Sequence, residues 1–359
     1  MVTISLCMIV KNEEAVLERC LQSAAPLADE IIVVDTGSTD GTTEIARQFG
    51  AQVFLFPWRD DFSAARNFSF DAASMDYCLW LDADDIILPE DLSKLLSTKE
   101  TLPPDIDMVM LPYHTAFDAD GIPTFTCYRE RLIRNHAGFR WEGVVHEAIA
   151  PRGVVRYGDG AVTHRKTGPG DPDRNLRILE GLRARRPLTP REQFYYAREL
   201  TYHGRDWEAA AQFADFLRTG GGWAPDSIQA AMDLADCYRR LEQPEQILSS
   251  LVLGLCFGAP TPELCCALGQ RYLELEQWEA AIYWYEQAMN RPEHLGFTLP
   301  DCRNYIPLLQ LCVCHDRLGD WRKAAAYNEA ACRLRPQSPA CAYNRAYFDR
   351  IAQQSADRN

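Results

Sequence analysis

Residues 30–42 of the chain read EIIVVDTGSTDGT. The first part, EIIVV, is a short and largely apolar run rich in β-branched side chains, which is typical of a buried strand. A Gly/Ser/Thr turn follows and opens a helical pattern, so its backbone N–H groups can face an anion. Asp35 stands directly after the strand, where its carboxylate can accept hydrogen bonds from a nucleobase or a ribose. The alternative is that Thr39 or Asp40 simply caps the next helix.

Strand and helix patterns alternate on both sides of this stretch. The predicted strands cover residues 2–10, 30–34, 52–56 and 77–81, and the predicted helices cover residues 13–23, 42–49 and 62–73. Such alternation predicts a mainly parallel, Rossmann-like sheet with helices on both faces, and ligands bind at the carboxyl ends of its strands. We therefore predict an α/β domain over residues 1–168, with the break TGPGDP at residues 167–172 as its boundary.

The remaining sequence, residues 169–359, has a different pattern. A helix-turn-helix signature recurs there, and the position of Trp207 is repeated at Pro244, Trp278 and Trp321, in steps of 37, 34 and 43 residues. A period near 34 residues with small side chains after the turn resembles the tetratricopeptide repeat. We predict an all-α tetratricopeptide-repeat solenoid of about four repeats with a capping helix at residues 339–352. An irregular helical bundle is the alternative.

Acidic and basic residues with chemical potential lie in the first domain. Asp82 and Asp84 follow the strand at residues 77–81, and two carboxylates separated by one residue can share a hard cation and a ribose. A solvated acidic turn is the alternative. Arg66 stands alone on an alanine-rich helical pattern, where its guanidinium can fork onto a phosphate or form a surface ion pair.

Four motifs in a fixed order resemble the inverting family 2 glycosyltransferases of the GT-A fold. They are IVKNEE at residues 9–14, VDTGSTDGT at 34–42, FSAARN at 62–67 and LDADD at 81–85. The resemblance covers about residues 1–165 and is greatest to the branch joined to C-terminal tetratricopeptide repeats. That branch includes bacterial peptide and flagellin glycosyltransferases and, without repeats, lipooligosaccharide core glucosyltransferases.

The resemblance implies a metal-dependent transferase and a role for each matching residue. Asp35 would hold the uracil or the ribose of a UDP-sugar, Asp82 would lie on the ribose side, and Arg66 would lie near the donor. The further donor-site residues implied by the same motifs are Lys11, Asn12, Glu13 and Ala83. Asp84 would ligate Mn²⁺ or Mg²⁺. His164 matches the position of an additional metal ligand in related enzymes, and a strand-end histidine without that role is the alternative.

The segment WEGVVHE at residues 141–147 is similar to a W-x-G-x-V-H-E run of the same branch. Inversion at the anomeric carbon needs one base within hydrogen-bond reach of the acceptor. Glu147 is the first choice for this base and His146 the second. Many family members carry the base in an E-D pair after the metal motif, and this sequence has no such pair, so the choice stays open.

The predicted function is transfer of a sugar to a protein or peptide acceptor that the repeats hold. Homodimerisation is an alternative use of the repeats. A lipooligosaccharide core glucosyltransferase is a second reading, favoured by a basic cluster of Arg129, Arg131, Arg134, Arg140, Arg152 and Arg156. A third reading is a non-catalytic scaffold that binds a sugar nucleotide, which predicts a damaged metal motif or a missing acceptor-side base.

Charge and cysteine usage exclude several classes of protein. A net charge of −14 argues against a nucleic-acid partner and against a polybasic membrane anchor. We expect no transmembrane segment, because the sequence has no apolar stretch of about 18 residues, and we expect residues 1–10 to be a strand rather than a signal peptide. The 13 cysteines lie mostly in helical patterns and form no C-x-x-C pair, which favours a reducing cytoplasm.

Overall fold

The structure of the chain is a computed structural model that describes residues 1–118, 121–165, 168, 170–292 and 296–356. It forms two compact units, Met1–Leu188 and Thr189–Asn359. The units meet later in the sequence than the predicted boundary between residues 168 and 169, because the first helix after the Gly/Pro-rich break belongs to the first unit. In that helix Arg174 lies with its guanidinium 4.7 Å from the ring of Phe62.

The first unit contains two sheets and five helices among its described residues. Its strands are β1 (Ile4–Val10), β2 (Glu30–Asp35), β3 (Gln52–Leu55), β4 (Tyr77–Trp80), β5 (Asp85–Ile86), β6 (Met108–Phe117), β7 (Pro123–Arg134), β8 (Trp141–Glu142), β9 (Ala148–Ile149), β10 (Val155–Tyr157) and β11 (Val162–His164). Its helices are α1 (Leu17–Ala24), α2 (Thr42–Gln48), α3 (Phe62–Ala72), α4 (Pro89–Thr101) and α5 (Arg174–Arg183).

The main sheet has the order β3-β2-β1-β4-β7-β6-β11-β5, and β10 pairs with β6 beside this path. The four strands β3, β2, β1 and β4 are parallel, as expected for strands joined by helical crossovers. Antiparallel pairs join β4 to β7, β7 to β6 and β11 to β5. The prediction of a mainly parallel α/β sheet is confirmed, with a mixed half that the sequence pattern did not resolve.

Strand β1 is buried on both faces, which explains why its sequence is a continuous apolar run. Leu6 and Met8 pack on one face, where the helix residue Leu17 belongs to the same core. Cys7 packs on the opposite face in a second core that contains Phe70 of α3 and Trp80 of β4. Helices therefore pack on both faces of the sheet, and each face has its own apolar core.

The second unit is built from helices. They are α6 (Pro190–Tyr202), α7 (Asp206–Thr219), α8 (Ala224–Arg240), α9 (Pro244–Gly254), α10 (Pro262–Glu274), α11 (Trp278–Met289), α12 (Tyr305–Arg317), α13 (Trp321–Leu334) and α14 (Pro339–Ala356). The repeated signature falls at the start of α7, α9, α11 and α13, so the prediction of a helical repeat is confirmed. Across the described residues, no helix combines the length and apolar character that crossing a bilayer requires.

Each hairpin of the second unit turns through a residue with left-handed backbone. The φ angles are 69° at Gly204, 56° at Glu242, 58° at Glu276 and 84° at Gly319. Two hairpins therefore place a glutamate where a Cβ atom is unfavourable. A few residues later the next helix buries small alanines, such as Ala281 and Ala324, neither of which is exposed.

Substitutions at two of these turns test how the left-handed backbone affects stability. Replacing glycine in the left-handed region costs about 1 kcal/mol, and Gly319 has no atom within 4 Å of an added Cβ. We expect Gly319→Ala to lower the free energy of unfolding by about 1 kcal/mol, and Glu276→Gly to raise it by a similar amount. Urea denaturation of the full chain measures both changes. Shifts of the same sign in both variants would contradict this assignment.

Candidate active site

The carboxyl ends of three adjacent parallel strands carry the predicted donor residues. β1 lies between β2 and β4, and Asp35 at the end of β2 is in register with Val10 at the end of β1. The segment after β1 is Lys11–Glu14, and the segment after β4 contains Asp82–Asp85. The structure therefore brings these predicted residues to one edge of the sheet, where open α/β sheets bind their ligands.

The loops after β1 and β2 are joined by hydrogen bonds. Asn12 donates its backbone N–H to Ser38 Oγ at 2.9 Å, and its side-chain Oδ1 accepts from the backbone N–H of Thr39 at 2.8 Å. The Glu13 N–H donates to Thr42 Oγ1 at 2.7 Å. Asn12 has a φ of 55°, a conformation that asparagine tolerates well. Asn12 thus holds the two loops together, whereas Lys11 is exposed.

Asp35 is 3% exposed and organises the turn that follows it. Its carboxylate accepts from the backbone N–H groups of Gly37 at 3.3 Å and of Ser38 at 3.1 Å. Asp40 accepts from the backbone N–H of Thr42 at 3.1 Å, but the N-cap of α2 is Gly41, so Asp40 closes the turn before the helix and does not cap it. The turn is therefore fixed before any ligand binds.

Arg66 of α3 bridges two carboxylates that the sequence placed in different roles. Its Nη2 lies 2.6 Å from Asp82 Oδ1, and its Nε lies 2.6 Å from Glu147 Oε1. The guanidinium also stands 4.6 Å from the ring of Trp80 and 4.9 Å from that of Trp141. The surface ion pair considered for Arg66 is in fact a buried one, since the Arg66 side chain is only 7% exposed.

Charge compensation dominates the electrostatics of this bridge. Burial alone would lower the pKa of Arg66, but attraction to Asp82 and Glu147 outweighs it and raises that pKa. Burial raises the pKa of Asp82, yet Arg66 and Arg131 overcome this effect and lower it to about 2. Removing one partner of a buried ion pair typically costs about 3–5 kcal/mol. This range applies to Arg66 with Glu147, whose side chain is 10% exposed, and not to Asp82, whose side chain is 36% exposed. The bridge is therefore a strong link between the segments that carry Asp82 and Glu147.

Asp84, Asp85 and His164 form a cluster with one ligand atom each, all within 4.8 Å of one another. His164 Nδ1 lies 3.4 Å from Asp84 Oδ1 and 3.3 Å from Asp85 Oδ1. Burial raises the pKa of Asp84, with Asp82 and Asp85 adding to the effect against His164. The hydrogen bond to Asp85 raises the pKa of His164. Carboxylates and an imidazole are ligands that suit Mg²⁺ or Mn²⁺.

Glu13 adds further negative charge beside this cluster. Its burial, together with repulsion from Asp84, Asp82 and Asp40, raises the pKa of Glu13 to about 7, against a weaker opposing effect of Arg174. Neighbouring carboxylates thus raise the pKa values of Glu13 and Asp84, and such an excess of negative charge at a strand edge favours the binding of a cation. Glu13 therefore lies at the predicted site, and its environment supports the prediction that a cation binds there.

The loop at residues 143–147 connects β8 and β9, which pair antiparallel. Gly143 and His146 have φ angles of 97° and 52°, and left-handed backbone of this kind is concentrated at functional sites. The Val144 carbonyl accepts from the backbone N–H of Phe62 at 3.0 Å, which ties the loop to the start of α3. Glu147 is 8% exposed and His146 is partly buried.

The six arginines considered as a basic acceptor patch differ in exposure. Arg131 has no exposed side-chain surface, so it cannot belong to such a patch. Arg140, Arg152 and Arg156 are exposed, although Arg140 pairs with Asp71. The patch is therefore smaller than the sequence indicated, and the lipooligosaccharide alternative stays open.

Two residues of the site escaped the sequence analysis as site residues. Tyr113 of β6 donates its hydroxyl to Asp85 Oδ1 at 2.8 Å, and Arg131 of β7 donates to Asp85 Oδ2 at 3.1 Å. Both lie on strands without a recognisable motif. For Arg131 the available signal was the consecutive charged run Arg129-Glu130-Arg131 within a predicted strand, since charged residues are rarely buried without partners.

Comparison with known proteins identifies related sequences. Residues 5–150 match the model of a family described as glycosyl transferase family 2. A TPR repeat-containing protein of Synechococcus elongatus is 40% identical over 149 residues, which is 42% of this chain and 36% of that protein. The SPbeta prophage-derived glycosyltransferase SunS of Bacillus subtilis is 28% identical over 225 residues, 58% of this chain and 51% of the relative. The family resemblance of the four motifs is confirmed.

The chain spans about a third to a half of the length of these two relatives. Among solved structures, it is similar to glucosyl-3-phosphoglycerate synthase from Mycobacterium tuberculosis in complex with Mn²⁺, uridine-diphosphate-glucose and phosphoglyceric acid. The sequence identity is 33%, the match covers 31% of this chain and 44% of that chain, and the TM-score is 0.27.

The raised pKa of Glu13 predicts a pH-dependent effect of Glu13→Gln. Its folded-state pKa of about 7 exceeds the ordinary value of 4.5, so the folded state binds the extra proton, and ionised Glu13 destabilises the fold as the pH rises through 7. We expect Glu13→Gln to raise the urea midpoint clearly at pH 8 and much less at pH 5. Measurements at both pH values, with Glu44→Gln as the control at an exposed carboxylate, check this. An equal gain at pH 5 and pH 8 would contradict it.

Proposed function

We propose that this chain, whose residues 5–150 carry a domain of glycosyl transferase family 2, transfers a sugar from a UDP-sugar to a protein or peptide acceptor with inversion at the anomeric carbon. The observation that carries the proposal is the meeting of Asp35, Asp82 and Asp84 at the ends of adjacent parallel strands. Inversion and the UDP nucleotide come from the family resemblance of the motifs.

The donor site is proposed at this edge of the sheet. Asp35 and the turn after it would contact the nucleoside, with Asp82 on the ribose side and Ala83 between the two acidic residues. Arg66 binds Asp82, which follows β4 at this edge. The diphosphate is proposed to bind near the guanidinium of Arg66. Lys11 is exposed at the same edge and would add positive charge near the donor.

The donor set fits Mn²⁺ or Mg²⁺, and Asp84 and His164 are the residues proposed to hold it. A divalent cation, when bound, offsets the negative charge that develops on the leaving diphosphate. The Asp84 side chain is 25% exposed and that of His164 is 26% exposed, so both are accessible to an incoming ion. The neighbouring Asp85, in contrast, has no exposed side-chain surface.

The transfer is a single displacement. The acceptor atom attacks the anomeric carbon as its proton passes to a base, and the bond from that carbon to the diphosphate oxygen breaks, which releases the nucleoside diphosphate. Glu147 remains the first choice for the base. Its Oε1 is bound by Arg66, whereas its Oε2 has no hydrogen-bond donor among the described residues. His146 is the alternative base in the same loop.

A protein or peptide acceptor is supported by the second unit. Helical repeats commonly bind extended peptides or helices, and exposed Trp and Tyr are enriched at protein interfaces. Trp207 is 62% exposed, Tyr283 is 54% exposed and Tyr343 is 71% exposed. Homodimerisation through the same surfaces is the competing use. All 13 cysteines are free thiols, which supports a reducing compartment such as the cytoplasm.

The scaffold hypothesis predicted a damaged metal motif or a missing base. Asp84 and His164 are close together, and Glu147 is placed beside Arg66. These contacts support the enzyme over a scaffold that only binds the donor.

Release of nucleoside diphosphate from a panel of UDP-, GDP- and dTDP-sugars tests the function. With Mn²⁺ or Mg²⁺ we expect slow hydrolysis of one UDP-sugar, stopped by a chelator. Asp84→Ala should lower the rate about 100-fold, because it removes a ligand of the cation. Asp71→Ala, which alters an exposed carboxylate of α3, is the matched control and should leave the rate unchanged. Equal rates in Asp84→Ala and the wild type would contradict the proposal.

The base is identified by comparing Glu147→Gln with His146→Gln in the same assay. Loss of a general base lowers kcat by about 10²–10⁴-fold. We expect this loss in Glu147→Gln, with the KM for the donor changed only a few-fold, and a smaller loss in His146→Gln. A larger loss in His146→Gln would assign the base to His146. Thermal unfolding of both variants controls for the broken contact between Glu147 and Arg66.

A further inference from the structure

Asp85 lies directly behind the proposed cation ligands and has no role in the displacement described above. Its side chain has no exposed surface, whereas that of the neighbouring Asp84 is 25% exposed. The two carboxylates are consecutive in sequence and both lie close to His164. Proximity alone would therefore count Asp85 as a third ligand of the cation.

The hydrogen bonds of Asp85 argue against that role. Oδ1 accepts from the Tyr113 hydroxyl at 2.8 Å and lies 3.3 Å from His164 Nδ1. Oδ2 accepts from Arg131 Nη1 at 3.1 Å and from the backbone N–H of Asp82 at 3.1 Å. An ionised carboxylate offers about four lone-pair sites. The contacts of Asp85 fill them, so none is left for a cation.

Arg131 gives the buried carboxylate of Asp85 a counter-charge in the interior. Its guanidinium lies 3.7 Å from the ring of Trp80 and 4.5 Å from that of Tyr113, with no exposed side-chain surface. Arg131 also donates to the Trp80 carbonyl at 2.9 Å. A buried guanidinium needs a counter-charge, and Asp85 supplies it. This pair anchors the turn at residues 82–85 to β7.

Tyr113 connects the same pair to His164. Its hydroxyl donates to Asp85 and stands 3.0 Å from His164 Nδ1. The imidazole is thus held by a carboxylate and a hydroxyl that face the interior. Groups that hold a metal-binding histidine from behind fix its orientation, and their removal typically weakens metal binding about 10–100-fold.

We propose that Asp85 is a positioning residue rather than a ligand, and that Asp85, Arg131 and Tyr113 together fix His164 and the Asp82–Asp85 turn for a divalent cation bound by Asp84 and His164. This inference rests on the proposed function, because the cation belongs to that site. It assigns two residues without a sequence motif, Arg131 and Tyr113, to the assembly of the site.

Mn²⁺ alone is the probe, titrated into the full chain while electron paramagnetic resonance reports the free ion. Tyr113→Phe removes one hydroxyl and keeps the aromatic ring. We expect it to raise the Kd for Mn²⁺ about tenfold. The matched control is Tyr77→Phe on strand β4 of the same sheet, which also removes a buried hydroxyl bond, donated to the Ile106 carbonyl at 2.6 Å. Its Kd should stay at the wild-type value.

Substitution of the two acidic residues separates a ligand from a positioning residue. We expect Asp84→Asn to abolish Mn²⁺ binding, and Asp85→Asn to weaken it only about 10–100-fold. The double variant Tyr113→Phe/Asp85→Asn should bind no more weakly than Asp85→Asn alone, because both changes act on one unit.

Several outcomes would overturn the inference. Equal Kd values for Tyr113→Phe and Tyr77→Phe would show that the Tyr113 hydroxyl has no positioning role. Loss of binding in Asp85→Asn as complete as in Asp84→Asn would make Asp85 a ligand. If the wild type bound no Mn²⁺, the metal site of the proposed function would fail as well, so the two failures are distinguishable.

Discussion

A guanidinium removed from water has to be neutralised where it lies, and this constraint shapes the first unit. Arg66 meets it by holding Asp82 and Glu147 at 2.6 Å each, beside the rings of Trp80 and Trp141. Its two carboxylate partners lie 65 residues apart in the sequence, at the end of β4 and in the β8–β9 loop. One charged side chain from α3 therefore joins the proposed donor segment to the loop that carries both candidate bases.

Arg131 is a second buried arginine that is neutralised in a similar way. Arg131 lies on the opposite side of the Asp82–Asp85 segment from solvent and is neutralised by Asp85. The ring of Trp80 contacts both arginines: its centroid lies 4.6 Å from the guanidinium carbon of Arg66 and 3.7 Å from that of Arg131. Asp82 is thus held by the charge of Arg66, while the side chains of Asp82 and Asp84 stay partly exposed, which suits the proposed site for a charged substrate.

Local patterns were enough to predict the parallel half of the sheet and the helical repeats. EIIVV at residues 30–34 and the run around Trp80 each occupy one strand, and the turn signature at Trp278 marks the start of a helix. The contacts of Arg131 and Tyr113 were beyond reach, because they depend on which strands become neighbours across β7 and β6. The contact of Arg66 was equally hidden, because Glu147 lies 81 residues further along the chain. The domain boundary between residues 168 and 169 stays a prediction; the helix α5, which follows it, falls in the first compact unit.

The most direct test of the account is a crystal structure of the full chain with Mn²⁺ and UDP, with anomalous diffraction recorded to locate the manganese. The account predicts one anomalous peak in coordination contact with Asp84 and His164, with the UDP diphosphate bound to it and the nucleoside beside Asp35. A manganese peak away from Asp84, or UDP bound elsewhere than at the carboxyl ends of β1, β2 and β4, would contradict the central claim.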